Sequence, residues 1–308
     1  MKKFGLTVFV LLCVGVCVCL VGCHEEVPSY VPPMSTDGCP FLADFPLMED
    51  IVMPDENDAE GMKALAYLLY ERANRRDQSC AYRLAYSFCN VTTEFFGVAM
   101  PVPGCVYDVK NGDEYYKLDF QPTKSMAAGH GKATYYKLGL PKAYYIKVDD
   151  SRIDEAGQGS ADFSKPSEAK YVDAPYFHAS QDPLYCKTDI NILPETIVDA
   201  HVSYNAEKGY YTVTMTLDVE NPVTTEKTLE NLRAGSSMVR KANYTSIEET
   251  FEVWANGFFK YFVSIDKWAT NSISGTIDYK TYYSYEESEC VVSSYQHYEE
   301  MKRKAEEQ

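Results

Sequence analysis

The chain has 308 residues, 45% hydrophobic and 24% charged. That balance excludes wholesale disorder, a collagen-like repeat and a polytopic membrane protein. Acidic residues outnumber basic ones 45 to 29, for a net charge of −16, so phosphate backbones repel the chain and no nucleic-acid partner is expected. Tyrosine is over-used, with 26 residues against 14 Phe and 2 Trp. Its apolar ring and polar end suit half-wet sheet surfaces and binding surfaces.

The amino end is laid out for export. Lys2 and Lys3 give a basic start, and an uncharged apolar run of about 18 residues follows from Phe4 to Val21. That length is at the lower limit for a spanning helix, so an uncleaved anchor competes with a cleaved leader. Leu20-Val21-Gly22-Cys23 separates the two, because it resembles the lipobox of bacterial lipoproteins. The resemblance implies cleavage between Gly22 and Cys23, so that residues 1–22 are a signal peptide. It implies acylation of Cys23, and a protein held on the cell membrane by its lipid, facing outside the cytoplasm. Each buried acyl methylene adds about 0.8 kcal/mol, so two or three chains anchor firmly. Cys13, Cys17 and Cys19 leave with the leader as small hydrophobes.

Residues 23–55 read as a tether. Pro28, Pro32, Pro33, Pro40, Pro46 and Pro54 keep it extended, while Phe41, Leu42, Phe45, Leu47 and Met48 give part of it a reason to pack on the domain. The globular domain is expected over residues 56–290. It opens with a helix from Asp58 to Arg75, whose stripe is Met62, Leu65, Ala66 and Leu69. Asn57 and Glu60 stand as a capping box, and Arg72, Arg75 and Arg76 favour the carboxyl end.

Period two then takes over, with a strand from Tyr82 to Phe96 and a hairpin through Asn111-Gly112, where a type I′ turn is expected. Tyr135 to Leu138 and Tyr144 to Asp149 continue the pattern. Residues 150–194 are rich in Asp, Ser, Gly and Pro and read as a long loop or a seam between two halves. Strands follow from Val198 and from Tyr211, joined at Lys208-Gly209. A helix covers Thr225 to Arg233. Strands flank Asn256-Gly257, and a last one spans Ile277 to Tyr285. Residues 291–308 form a charged tail.

The order predicts an α+β, β-dominant fold: an antiparallel curved sheet or half-barrel with the amino-terminal amphipathic helix packed on it. The segments Ala64-Leu-Ala-Tyr-Leu-Leu-Tyr-Glu-Arg-Ala-Asn74, Lys110-Asn-Gly-Asp-Glu-Tyr-Tyr116 and Phe251-Glu-Val-Trp-Ala-Asn-Gly-Phe258 resemble the LolA/LppX-like envelope proteins. That resemblance implies a sheet covered by helices that holds acyl chains. It carries no ligand residues over to this chain.

Catalytic patterns are absent or incomplete. There is no Gly-x-Ser-x-Gly elbow. His24-Glu25 lacks the second histidine of a zinc-protease motif, and Gly129-His-Gly-Lys132 lacks most of a phosphate loop, so a flexible turn is expected there. Asp149, Asp150, Asp154, Glu155 and Asp162 are calcium-type ligands, but Arg152 interrupts them and a solvated loop is the plainer reading. His24, His130, His178, His201 and His297 are not at metal-binding spacing, so no metal is expected; His201 falls on the polar side of its strand. A Cys186–His178 couple has no local support.

Outside the cytoplasm Cys39, Cys80, Cys89, Cys105, Cys186 and Cys290 are disulfide candidates. Cys80–Cys105 and Cys89–Cys105 are the first pairings to test, with buried thiols as the alternative. The pairs Tyr115-Tyr116, Tyr135-Tyr136, Tyr144-Tyr145, Tyr210-Tyr211 and Tyr282-Tyr283 each set one ring on each face of a strand. The expectation is a lipid-anchored envelope protein that is not an enzyme, needs no cofactor and holds an apolar ligand. The alternative is a surface interaction protein that uses tyrosines on glycan or protein. An unrecognised hydrolase would need a carboxylate brought to His178 or His201.

Overall fold

The computed structural model describes residues 38–41, 43–95, 97–121, 130–153, 158–163, 165–173, 190–235, 240–288, 290, 303, 306 and 307. Cys23 and Gly22, the histidines His24, His178 and His297, Asp154, Glu155, Cys186 and nearly all of the tail lie outside the described residues.

Helix α1 runs Ala59–Ser79, one turn beyond the expected end. Its cap is Asp58, whose carboxylate accepts the Gly61 N–H at 2.9 Å. The expected Asn57–Glu60 box is not formed; Asn57 instead donates to Asp55, 2.9 Å from its backbone N–H. Met62, Leu65, Ala66 and Leu69 are buried as the stripe required, joined by Tyr70 and Ala73. The preceding segment is already part of the domain. Phe41 and Phe45 set their rings 5.5 and 5.2 Å from Phe258, and the Met48 N–H reaches the Ala255 carbonyl at 2.8 Å.

Among the described residues thirteen strands follow in chain order: β1 Tyr82–Phe95, β2 Val98–Asn111, β3 Glu114–Gln121, β4 His130–Lys137, β5 Lys142–Val148, β6 Arg152–Ile153, β7 Gly159–Ser160, β8 Glu168–Asp173, β9 Ile197–Asn205, β10 Tyr210–Leu217, β11 Asn243–Trp254, β12 Phe259–Ala269 and β13 Ile273–Ser284. Helix α2, Pro222–Gly235, separates β10 from β11. Eleven strands form one curved, unclosed antiparallel sheet in the order β8-β5-β4-β3-β2-β1-β13-β12-β11-β10-β9, and β6 pairs with β7 apart from it. The fold is the expected α+β class.

The two halves bury opposite faces. In β9 to β13 the buried residues face α1: Val202, Val213, Met215, Phe251 and Phe262 pack with Leu65, Leu69 and Ala73. In β1 to β5 the core is on the other face, where Tyr86, Tyr116, Phe120, Tyr135 and Ile146 pack with Phe163 and Cys290. Alternation puts one apolar set on each side of a strand, and the change of side falls on β1. Arg83 to Phe88 are therefore all buried, with Ala85 in the first core and Leu84, Tyr86 and Phe88 in the second.

Several expectations are corrected. Asn111 is paired with Glu114, so the hairpin loop is Gly112-Asp113; only Gly112 has a positive φ, +60°, which fits a type II′ turn and not the I′ turn expected. His130 to Lys132, expected in a flexible turn, lie in β4. Residues 150–194 are not one loop: they contain β6, β7 and the edge strand β8. The two halves of the sheet meet instead along β1 and β13, from Leu84 opposite Ser284 to Phe95 opposite Ile273. In β9, Val198 and Tyr204 are exposed although they alternate in step with Ala200 and Val202, and Ile197, Ala200 and Val202 are buried.

The tyrosine pairs mostly behave as expected. Tyr116, Tyr211 and Tyr283 are buried beside half-buried neighbours, Tyr135 and Tyr136 are both buried, and Tyr144 and Tyr145 are both half-buried.

Candidate functional site

The helix-side face changes character where it leaves the cover of α1. Antiparallel register sets directly opposed residues on one face. Val91 of β1 thus stands between Val102 of β2 and Ile277 of β13, Thr93 between Met100 and Gly275, and Phe95 between Val98 and Ile273. Phe95, Val98 and Val102 are 39%, 39% and 36% exposed. This strip of apolar side chains continues the first core outward, as Ile277 packs against that core.

The same rows run inward to polar groups. Ile277 is opposite Asp266 of β12, which is opposite Ile247; Gly275 is opposite Trp268, which is opposite Tyr244. Gly275 is required there, because a Cβ would lie 2.3 Å from the Trp268 ring and 2.7 Å from the Thr92 carbonyl oxygen. One row back, Ser264 lies between Glu249 and Tyr279. The Ser264 hydroxyl is 3.0 Å from Glu249 Oε1 and 2.7 Å from Asp266 Oδ1. Glu249 is wholly buried and Asp266 nearly so. The second carboxyl oxygen of Glu249 and the indole N–H of Trp268 are buried without a hydrogen-bond partner among the described residues.

One hydroxyl carries one hydrogen, so it can donate to only one of two carboxyl groups. The other contact is satisfied only when that carboxyl is itself protonated. Burial raises the Glu249 carboxyl well above its usual range, and the Asp266 charge raises it further. Burial also lifts Asp266, to about 6, against the Ser264 hydrogen bond. Of the two, Glu249 therefore holds a proton the more strongly, which leaves the Ser264 hydroxyl to donate to Asp266. Beside it, burial and then Asp266 push the Cys89 thiol up to about 12, so it stays protonated.

The residues singled out from sequence do not gather here. His130 is half-buried on β4 and His201 is exposed on β9. Asp149, Asp150 and Asp162 do line one cleft of about 700 Å³. Lysines already stand beside them, Lys147 3.7 Å from Asp149 and Lys165 3.8 Å from Asp162. Among the described residues no group of three or more His, Cys, Asp or Glu is placed to hold a metal ion.

The cysteine pairings tested first are not brought together. Cys105 is registered against Phe88 and Cys89 against Gly104, so their side chains leave opposite faces of the sheet. Cys80 packs in the first core, its thiol 3.0 Å from the Asp77 carbonyl, whereas Cys105 packs in the second with Cys290. The described cysteines are thiols in this structure.

Glu249, Ser264 and Asp266 escaped the sequence reading, although a signal existed. Ile247, Glu249, Phe251 and Val253 share one phase of an alternating strand, and a carboxylate on an apolar phase is out of place.

No family model matches the chain, and no curated protein matches it. Among solved structures it is similar to an outer membrane lipoprotein-sorting protein domain from Vibrio parahaemolyticus, at 7% identity and a TM-score of 0.25, covering 72% of this chain and 93% of that one. A DUF1329 family protein from Desulfovibrio piger matches at 12% identity and a TM-score of 0.25, with the same coverage. A chain of the MucA/MucB complex of Pseudomonas aeruginosa matches at 8% identity and a TM-score of 0.14 over 73% of this chain and 95% of that one. At these TM-scores the likeness says nothing of this chain's ligand or partner.

Proposed function

We propose that the protein is an exported binding protein of the bacterial envelope, anchored by a lipid on Cys23, that holds an apolar ligand against the helix-side face of its sheet. The observation that carries this reading is the strip Val91, Phe95, Val98, Met100 and Val102. It is apolar, partly exposed and continuous through Ile277 with the core beneath α1. Contiguous exposed apolar area of this kind marks binding surfaces. The leader and Leu20-Val21-Gly22-Cys23 support the placement.

Native mass spectrometry of the protein isolated from its own cells tests the ligand. A retained apolar adduct, absent from Val102→Asp, is the expected result; a bare polypeptide mass in gentle buffer overturns it.

A second reading has an observation of its own. Tyr171 on the edge strand β8 and Tyr204 on the edge strand β9 are 42% and 43% exposed. Their rings lie 4.4 Å from Tyr144 and 4.6 Å from Tyr211. Such rings suit a glycan or protein partner, and glycan binding lost in Tyr204→Ser, with no apolar adduct, would favour it.

A further inference from the structure

Among the described residues the fold buries three acidic side chains, Asp77, Glu249 and Asp266, none more than 5% exposed. It treats them unequally. Asp77 is closed by the Arg83 guanidinium at 2.7 Å. Glu249 and Asp266 meet no lysine or arginine among the described residues, and the Ser264 hydroxyl is the one side-chain partner of each.

A buried carboxylate is ordinarily paired with a cation or fully hydrogen-bonded. This pair is neither, because the second oxygen of Glu249 is buried without a partner among the described residues. Asp266, raised to about 6, carries its charge above that pH. The fold supplies a counter-ion for Asp77 and none for Asp266.

The pair stands at the inner end of the apolar strip. Asp266 is directly opposite Ile277, and the same row runs on to Val91 and Val102. Strands lie about 4.8 Å apart, so Val102 is about 14 Å away along the row, within reach of an extended alkyl chain. Trp268 follows Asp266 on the same face, with its indole lying across Gly275. An aromatic ring beside carboxylates is the setting in which alkylammonium groups bind.

We propose that Glu249 and Asp266 are the counter-ions of a cationic head group, so that the ligand of the strip is a long-chain amine or another amphiphile with an ammonium end. This inference rests on the reading of the strip as the ligand site and adds the chemistry of the ligand's polar end. A carboxylate or phosphate head would be repelled by the pair, and a neutral head would leave its charge unopposed. A bare metal ion asks for more oxygen ligands than two carboxyl groups supply.

Displacement of the neutral fluorophore N-phenyl-1-naphthylamine from the full chain, at about pH 7.5, reads both parts. Dodecylammonium is expected to displace it at about tenfold lower concentration than dodecanol, the gain of a charge-assisted hydrogen bond. Glu249→Gln/Asp266→Asn keeps the shape of both groups and should remove that difference while leaving dodecanol unchanged. Equal displacement by the two compounds in the unaltered protein, or a preference that survives the double variant, overturns the proposal. Dodecanol reports the strip separately. If it binds, and is lost in Val102→Asp, the apolar site stands whatever the head group does. If neither compound displaces the fluorophore, the site and this inference fall together.

Discussion

Glu249 on β11 and Asp266 on β12 share the hydroxyl of Ser264, at 3.0 and 2.7 Å, in the buried helix-side layer of the sheet. Glu249 takes the first proton of the pair and Asp266 the second, and the second sets how the fold responds to acid. Asp266 is raised from 3.8 to about 6 in the folded protein. The folded state therefore binds this proton more tightly than the unfolded chain. The contribution is most favourable below the unfolded value and is lost as pH rises towards the folded one. About two pKa units correspond to about 3 kcal/mol. Urea unfolding of Asp266→Asn against the parent should show the variant gaining relative stability from about pH 4 to about pH 6 and levelling above that. A difference that does not change with pH would show that the folded state does not raise the Asp266 carboxyl.

Arg83 pins the start of β1 to the end of α1 and to β2. Its guanidinium meets Asp77 at 2.7 Å and also Asp108, and it is nearly as buried as Asp77. The Tyr285 hydroxyl is 3.4 Å from the same Asp77 carboxylate. Removing one partner of a buried ion pair strands the other, so Arg83→Met should cost about 3–5 kcal/mol. Arg83→Met/Asp77→Asn should recover part of that loss, as a denaturation double-mutant cycle would measure.

Gly275→Ala should destabilise by about 1–3 kcal/mol through overpacking, since the new methyl would meet the Trp268 indole at 2.3 Å. A shift in tryptophan fluorescence should accompany the lower melting temperature. A neutral outcome would mean that the indole moves at no cost.

Cys23→Ala should lose acyl mass and membrane retention, seen by intact mass and by fractionation of cells. Normal acylation and retention of that variant would remove the lipobox from the account.

Legibility followed physical range. The α1 stripe, the period-two strands and the turns at Gly112, Gly209 and Gly257 were readable because each depends on neighbours a few residues apart. The cap moved from Asn57 to Asp58, and the first hairpin turn moved one residue, because two adjacent polar residues or a Gly beside Asn leave register open at that scale. Glu249 and Asp266 are far less legible. Each is one carboxylate in one strand, and their pairing exists only because β11 and β12 align Glu249 with Ser264.

By itself the sequence determined the order of a first helix followed by period-two strands and the acidic charge that repels phosphates, since these are properties of local order and composition. Tertiary structure decided the rest. It joined two runs of strands along β1 and β13, turned their apolar faces to opposite sides, and left Val91, Val102 and Ile277 as one strip. It also sent Cys89 and Cys105 to opposite faces. Those outcomes depend on which strand lies beside which and in what register, and local alternation is the same for every such choice.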